Sequence, residues 1–263
     1  AADGERFDSD TPVPLAFDLA ESTQPMDFKG YAESRTPSEI SGGTWVQYDQ
    51  TRPETFSLPV QREIRITESA AAPAAYLVPA QWTQVIERLQ LHGVRMQRLP
   101  AAARVAAERH RFSKVEWAPR PFEGRHLVTT LESTLEPVDI EIPAGSWLID
   151  MDQPRARLVA LLLEPASGDS LIRWGFFDTI FEEKEYAEAR VLERIAREML
   201  AKDAKLKTEF EARIASDDAF AADPQARLRF FYQRSPYFDQ AWMRYPVLRL
   251  DPQALERLTA GGT

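Results

Sequence analysis

The chain contains no cysteine. Disulfide frameworks, thiolate nucleophiles and cysteine-held zinc are excluded by that absence alone. Histidine is scarce, with His92, His110 and His126 the only three. Three residues after them stand Arg95, Ser113 and Thr129, so no His-x-x-Glu pair exists, and His-Glu-x-x-His is also missing. The ligand pairs of a zinc peptidase therefore have no place here. Glycine is sparse, 11 in 263 residues, and no Gly-x-Ser-x-Gly elbow, phosphate-cradling loop or dinucleotide glycine spacing occurs. No run of about 18 apolar residues is present, which excludes a hydrophobic helical membrane span. Positive charge is in deficit too. The formal net charge of −9 argues against a nucleic-acid partner, whose phosphates need a concentrated basic surface. The opening Ala1-Ala2-Asp3-Gly4-Glu5-Arg6 stretch is polar and carries no signal peptide, although a leader could have been removed.

What remains is a composition that folds. Hydrophobic residues make up 44% and charged residues 28%, enough to bury a core in one large domain or two closely packed ones. Residues 1–43 read as an irregular segment ending in Ser41-Gly42-Gly43. Strand signals follow at Thr44–Tyr48, Phe56–Val60 and Arg62–Thr67. Ala75–Val78 reads as a short buried strand, and Trp82, Val85, Ile86 and Leu89 form one helical face closed by His92-Gly93. With a strand resuming over Val94–Leu99, this makes a small β-α-β unit. Alternation over Leu127–Leu135 and Val138–Ile142 predicts two further strands, with a turn at Glu136-Pro137. Pro143-Ala144-Gly145 turns the chain again before Trp147-Leu148-Ile149.

Past residue 150 the period becomes helical. Helices are expected from Pro154 to Leu163, from Phe177 through Leu200, over Leu206–Ile214, and from Asp223-Pro224 to Tyr232. A strand at Pro246–Leu250 closes the pattern. The expected fold class is α+β: a strand-rich first half, a mixed or antiparallel sheet with one short β-α-β unit, packed against a helical C-terminal part. The corresponding division is 1–43 irregular, 44–150 strand-rich and 151–263 helix-rich. One continuous domain over 44–250 is the alternative.

Carboxylate pairs occur at Asp8/Asp10, Asp150/Asp152 and Asp217/Asp218. Asp150-x-Asp152 could seat calcium, but cap or turn duty explains such pairs more simply. The aromatic cluster Trp174, Phe176, Phe177 and Phe181 reads as core, with a docking patch as its alternative. Glu182-Glu183-Lys184-Glu185 reads as a solvated helix face.

Several phrases in order carry a family resemblance: Pro37–Gly43, Ala75–Trp82, Pro121-Phe122-Glu123-Gly124-Arg125-His126, Pro143–Trp147, Asp152-Gln153-Pro154, Leu163-Glu164-Pro165, Asp169-Ser170-Leu171, Trp174-Gly175-Phe176-Phe177 and Tyr245–Arg249. From about residue 12 to residue 250 the chain resembles the C-terminal region of large bacterial proteins of the zinc carboxypeptidase (carboxypeptidase A-like) family. The resemblance implies a domain from a peptidase rather than a peptidase, because no zinc ligand, general base or carboxylate-gripping arginine of that family can be matched here. Zinc is accordingly expected only in a parent peptidase domain, and this chain is expected to hold no cofactor and no metal. The implied partner is an upstream peptidase domain of the same polypeptide. The implied setting is an exported bacterial protein, periplasmic or extracellular. Three roles stay open: an accessory domain that shapes substrate access, an independent peptide- or glycan-binding module, and a cryptic hydrolase. Arg125, His126 and Trp147 are the candidate binding residues, and no catalytic residue is assigned.

Overall fold

The computed structural model describes residues 11–183 and 188–260. Its first four strands are β1 (Val13–Leu19), β2 (Gln24–Pro37), β3 (Thr44–Val60) and β4 (Ile64–Ala70). They form a nested hairpin: β1 pairs antiparallel with β4, β2 pairs antiparallel with β3, and neither pair joins a larger sheet. The result is a two-stranded arm. With 14 residues in β2 alone, the distal ribbon extends about 45 Å. The turn at its tip is closed by Ser38 and Gly43 backbone hydrogen bonds, with Gly42 at φ +70. Residues 13–19 and 24–37 are therefore strands rather than irregular. Val13, Leu15, Phe17 and Leu19 do alternate, but the charges, prolines and turn residues around them hide the short period.

The central sheet has six strands in the order β6-β9-β5-β10-β7-β8. These are β5 (Ala75–Val78), β6 (Gln97–Arg98), β7 (Ala103–Trp117), β8 (Val128–Ile142), β9 (Trp147–Asp150) and β10 (Leu248–Leu250). Every pairing in it is antiparallel. Helix α1 (Thr83–Leu91) links β5 to β6, and β9 lies between those two strands. The β-α-β unit is thus split by a third strand. His92 ends α1 and Gly93 follows at φ +72, as the helix-end reading requires.

One expected turn is absent. Glu136-Pro137 sits within the uninterrupted strand β8, opposite Arg109 and Glu108. β8 is the edge of the sheet, where a proline's missing N–H need not deprive a neighbour.

β5 shows how the core is divided. All four of its residues are buried, with Tyr76 and Val78 facing one hydrophobic cluster and Ala75 and Leu77 the other. The first cluster takes in Val85, Ile86 and Leu89 of α1, Val159 and Leu163 of α2 (Ala156–Leu163), and Ile172, Phe177 and Tyr245. The second is closed by α7 (Pro252–Ala260). α7 was not foreseen, although Asp251-Pro252 carries the same start signal as Asp223-Pro224; Asp251 Oδ1 accepts from Ala254 N at 2.7 Å.

Helices α3 (Ala189–Lys202), α4 (Ala204–Ser216), α5 (Asp218–Ala222) and α6 (Pro224–Tyr232) enclose separate clusters built on Phe220, Phe230 and Phe231 and on Leu192, Leu228 and Tyr232. Asp203, Asp217 and Asp223 each cap a following helix through a side-chain oxygen. A helix continuous from Phe177 is not found. Gly175 adopts φ +73, only Asp178–Ile180 make a single 3-10 turn, and α3 begins at Ala189. Lys184 and Glu185 of the acidic run, like Asp8 and Asp10, lie outside the described residues.

Candidate functional site

Three regions gather polar or bare surface. The first lies inside the core. Glu164 follows the apolar helix α2, only 3% exposed. Its Oε1 accepts from the Tyr76 hydroxyl and from Arg249 Nη1. His110 Nε2 stands 3.4 Å from its Oε2, while His110 Nδ1 lies 3.0 Å from Ser133 Oγ. Arg249 Nη2 donates to the Ala71 carbonyl at 2.6 Å, and Tyr245 OH donates to the Leu163 carbonyl at 2.9 Å. Burial works against a charge on Glu164. The facing His110 and the Arg249 guanidinium outweigh it, and the carboxyl is held below its ordinary range. Burial, reinforced by Glu164, pushes the Tyr76 and Tyr245 hydroxyls well above theirs. This network ties β5, β7, β10 and α2 together, and a substrate has no access to the carboxylate.

The second region carries two of the candidate binding residues. Phe122 and Arg125 exchange backbone hydrogen bonds at 2.8 and 3.0 Å around Glu123 (φ 49) and Gly124 (φ 78), a tight turn with both central residues left-handed. It projects Phe122 toward Trp174 at 6.3 Å between ring centroids. The Arg125 guanidinium lies 3.8 Å over the Phe176 ring, and Nη1 donates to the Trp174 carbonyl at 3.2 Å. His126 Nδ1 is 3.1 Å from the Ala118 carbonyl. Asp178 accepts from Trp117 Nε1 at 3.3 Å; its burial raises the carboxyl above the usual range, while that hydrogen bond and Arg125 oppose the rise. Trp147 is elsewhere. It begins β9 opposite Val78 and Arg98 and packs half-buried on the main core. No hydrogen bond, ion pair or ring contact among the described residues links it to Arg125 or His126.

The third region is the arm. Phe17 pairs with Ile66 and Leu19 with Ile64, so all four side chains share one face, and they are 49, 54, 58 and 66% exposed in the order Phe17, Ile66, Leu19, Ile64. Farther out, Met26 pairs with Leu58 and Phe28 with Phe56 on a common face. Trp45 and Tyr48 are exposed near the tip. A two-stranded ribbon buries too little by itself to hold such a surface dry.

Among the described residues no set of three or more acidic or imidazole groups could hold a metal ion. At Asp150-x-Asp152 the Asp150 Oδ1 accepts from the Asp152 amide at 2.8 Å, a local turn. No described helix is long and apolar enough to cross a membrane.

Compared with known proteins, the chain matches no protein-family model and no solved structure. It is similar to fungal proteins named carboxypeptidase 2. With that of Trichophyton tonsurans it is 34% identical over 103 residues, 39% of this chain and 19% of the relative. With that of Trichophyton rubrum it is 32% identical over 123 residues, 47% of this chain and 22% of the relative. A probable carboxypeptidase 2 of Arthroderma benhamiae is 31% identical over 119 residues, 45% of this chain and 22% of the relative. The matched stretch thus spans about a fifth of the length of these relatives. Over that part, the chain is similar to proteins named carboxypeptidase 2.

Proposed function

We propose that this chain is a non-catalytic accessory domain of a larger, exported carboxypeptidase-like polypeptide of bacterial origin. It packs on the peptidase domain of that polypeptide and shapes the approach of substrate. Zinc, in this reading, belongs to the peptidase domain. The observation that carries the proposal is the arm, a long ribbon with the Phe17, Leu19, Ile64 and Ile66 side chains bare on one face. Water-exposed apolar surface of this kind marks a docking face. The partial match to carboxypeptidase-named proteins about five times longer than the matched stretch supplies a partner of the right kind. The turn holding Arg125 and His126 is the part of the domain that would face substrate.

The test is to mix this chain with the separately produced remainder of the polypeptide. A one-to-one complex is expected, together with a changed KM of the peptidase toward long substrates and little change toward dipeptides. No association, or association with kinetics unchanged for every substrate length, would contradict it.

A further inference from the structure

Between α6 and β10 the chain folds back along β7 and leaves a cavity of about 380 Å³. Backbone pairing fixes the return. Tyr245 N donates to the His110 carbonyl and Phe112 N to the Met243 carbonyl, both at 2.8 Å. Arg244 is thereby set directly opposite Arg111. Met243 adopts φ 58, a left-handed conformation that non-glycine residues seldom take. It buries its own side chain in the core, while Trp242 and Arg244 on either side of it line the cavity.

Two guanidinium groups brought together need a counter-charge, and the one at hand is shared three ways. Glu136 Oε1 accepts from Arg109 Nε at 2.9 Å and lies 3.8 Å from Arg244 Nε, while Oε2 is 4.0 Å from Arg111 Nη1. Burial, and after it the neighbouring Arg109 and Arg111, hold the Arg244 pKa below its ordinary range against the pull of Glu136. Among the described residues the Arg111 guanidinium has that distant contact and no hydrogen bond. Arg244 donates only through Nη1, to the Gln240 carbonyl and to Gln240 Oε1 at 3.2 Å. A third lining arginine, Arg234, is already held by Glu209 at 2.7 Å and the Phe230 carbonyl at 3.0 Å. Asp239, the one carboxylate among the lining residues, turns Oδ1 to the Ala241 amide at 2.8 Å. Positive charge thus exceeds negative at this cavity, in a chain whose net charge is −9. Phe238 and Trp242 supply an apolar wall, their rings edge to face with centroids 5.7 Å apart.

We propose that this cavity binds a small organic anion, a carboxylate or phosphate monoester on an apolar or aromatic body. Its oxygens accept from Arg111 and Arg244, whose planar forks match such groups. Its body lies against Phe238 and Trp242. The volume falls within the roughly 300–1,000 Å³ of small-molecule sites. Neither the arm nor the Arg125 turn takes part, so failure of this proposal would leave the accessory-domain reading standing.

The probes are phenyl phosphate and 3-phenylpropionate, titrated separately into the full chain by isothermal calorimetry. Inorganic phosphate, acetate and 2-phenylethylamine are run beside them. Saturable one-to-one binding of at least one aromatic anion is expected, weakened by salt, and the tighter of the two assigns the anionic group. The simple anions should bind about tenfold more weakly for want of the apolar body, and the amine should not bind. Arg111 is more than half exposed, so Arg111→Gln should leave the fold intact and lose about fivefold in affinity, one exposed ion pair at the upper end of its usual strength. The control Arg104→Gln, which changes net charge equally on the same strand, should bind as the parent does. Glu136→Gln should tighten binding, because the ligand no longer competes with that carboxylate. The proposal is overturned if neither aromatic anion binds, if the simple anions or the amine bind as tightly, or if Arg111→Gln and Arg104→Gln bind alike.

Discussion

A carboxylate sealed from water is retained only if its neighbours replace the water it gave up. Around Glu164 the replacements are Tyr76, Arg249 and His110, drawn from three different strands. Removing one member of such a group leaves the others buried and unpaired. Glu164→Gln is therefore expected to cost about 3–5 kcal/mol in denaturant unfolding. Glu164→Leu combined with Arg249→Met should recover most of that loss, because an apolar pair of similar volume leaves no uncompensated charge. The pH dependence has a definite sign. The folded-state pKa of Glu164 lies below its unfolded value, so its contribution is complete above the unfolded glutamate value of about 4.3 and fades as pH falls through the lower folded value. Asp178, shifted upward by burial, works in the opposite direction and gains as pH falls. The acid limb of stability should flatten in Glu164→Gln; an unchanged limb would remove this residue from the acid response. These residues were visible in the sequence only as oddities. Glu164 closes the apolar run Leu161-Leu162-Leu163, and Arg249 interrupts Val247-Leu248-Leu250. A charge in such a run signals a buried partner, but spacings of 85 and more residues hide which one.

Among the elements, the arm behaves unlike the rest. Apart from the two-residue β6, each strand of the central sheet is stabilised by a cluster on one or both faces, whereas β1 to β4 pair only with each other. Only the base of the arm, at Val13, Leu15 and Ala70, meets the main core cluster among the described residues. The exposed quartet is thus nearly irrelevant to the stability of the isolated chain. Replacing Phe17, Leu19, Ile64 and Ile66 by threonine keeps strand preference and should cost no more than about 0.5 kcal/mol per site. The same variant should lose association with the remainder of the polypeptide; a large drop in melting temperature would instead place the quartet in a packed interface of this chain. Elements with a period were legible, α1, α4 and α6 among them, since burial on one face imposes it, and β5 was legible as a short apolar run buried on both faces. The arm was half legible. Its outer strand showed in Thr44–Tyr48 and Phe56–Val60, but the partner strand, richer in charge and proline, did not. The helix expected from Phe177 failed for a local reason, the left-handed Gly175 and the turn it sets against Asp178.

For the molecule as a whole, the phrases that carry the family resemblance prove to be mostly joints. Pro121–His126 and Pro143–Trp147 hold left-handed turns at Gly124 and Gly145, and the Gln153 side chain clamps the Arg95 backbone through Nε2 to the carbonyl at 3.1 Å and Oε1 from the amide at 2.9 Å. Such joints fix how the two faces of the sheet are covered, and they say little about chemistry. Among the proposed binding residues, Arg125 and His126 stand side by side and Trp147 lies apart. A sequence order cannot reveal that separation. What unites the molecule is a well-filled sheet with one bare appendage, and the central claim rests on what covers it. Hydrogen exchange over residues 13–70 tests this most directly. The account predicts fast exchange along β2 and β3 in the isolated chain and strong protection of the same amides in the complete polypeptide. Equal exchange in both would mean that the arm docks on nothing there, and the accessory-domain account would fail.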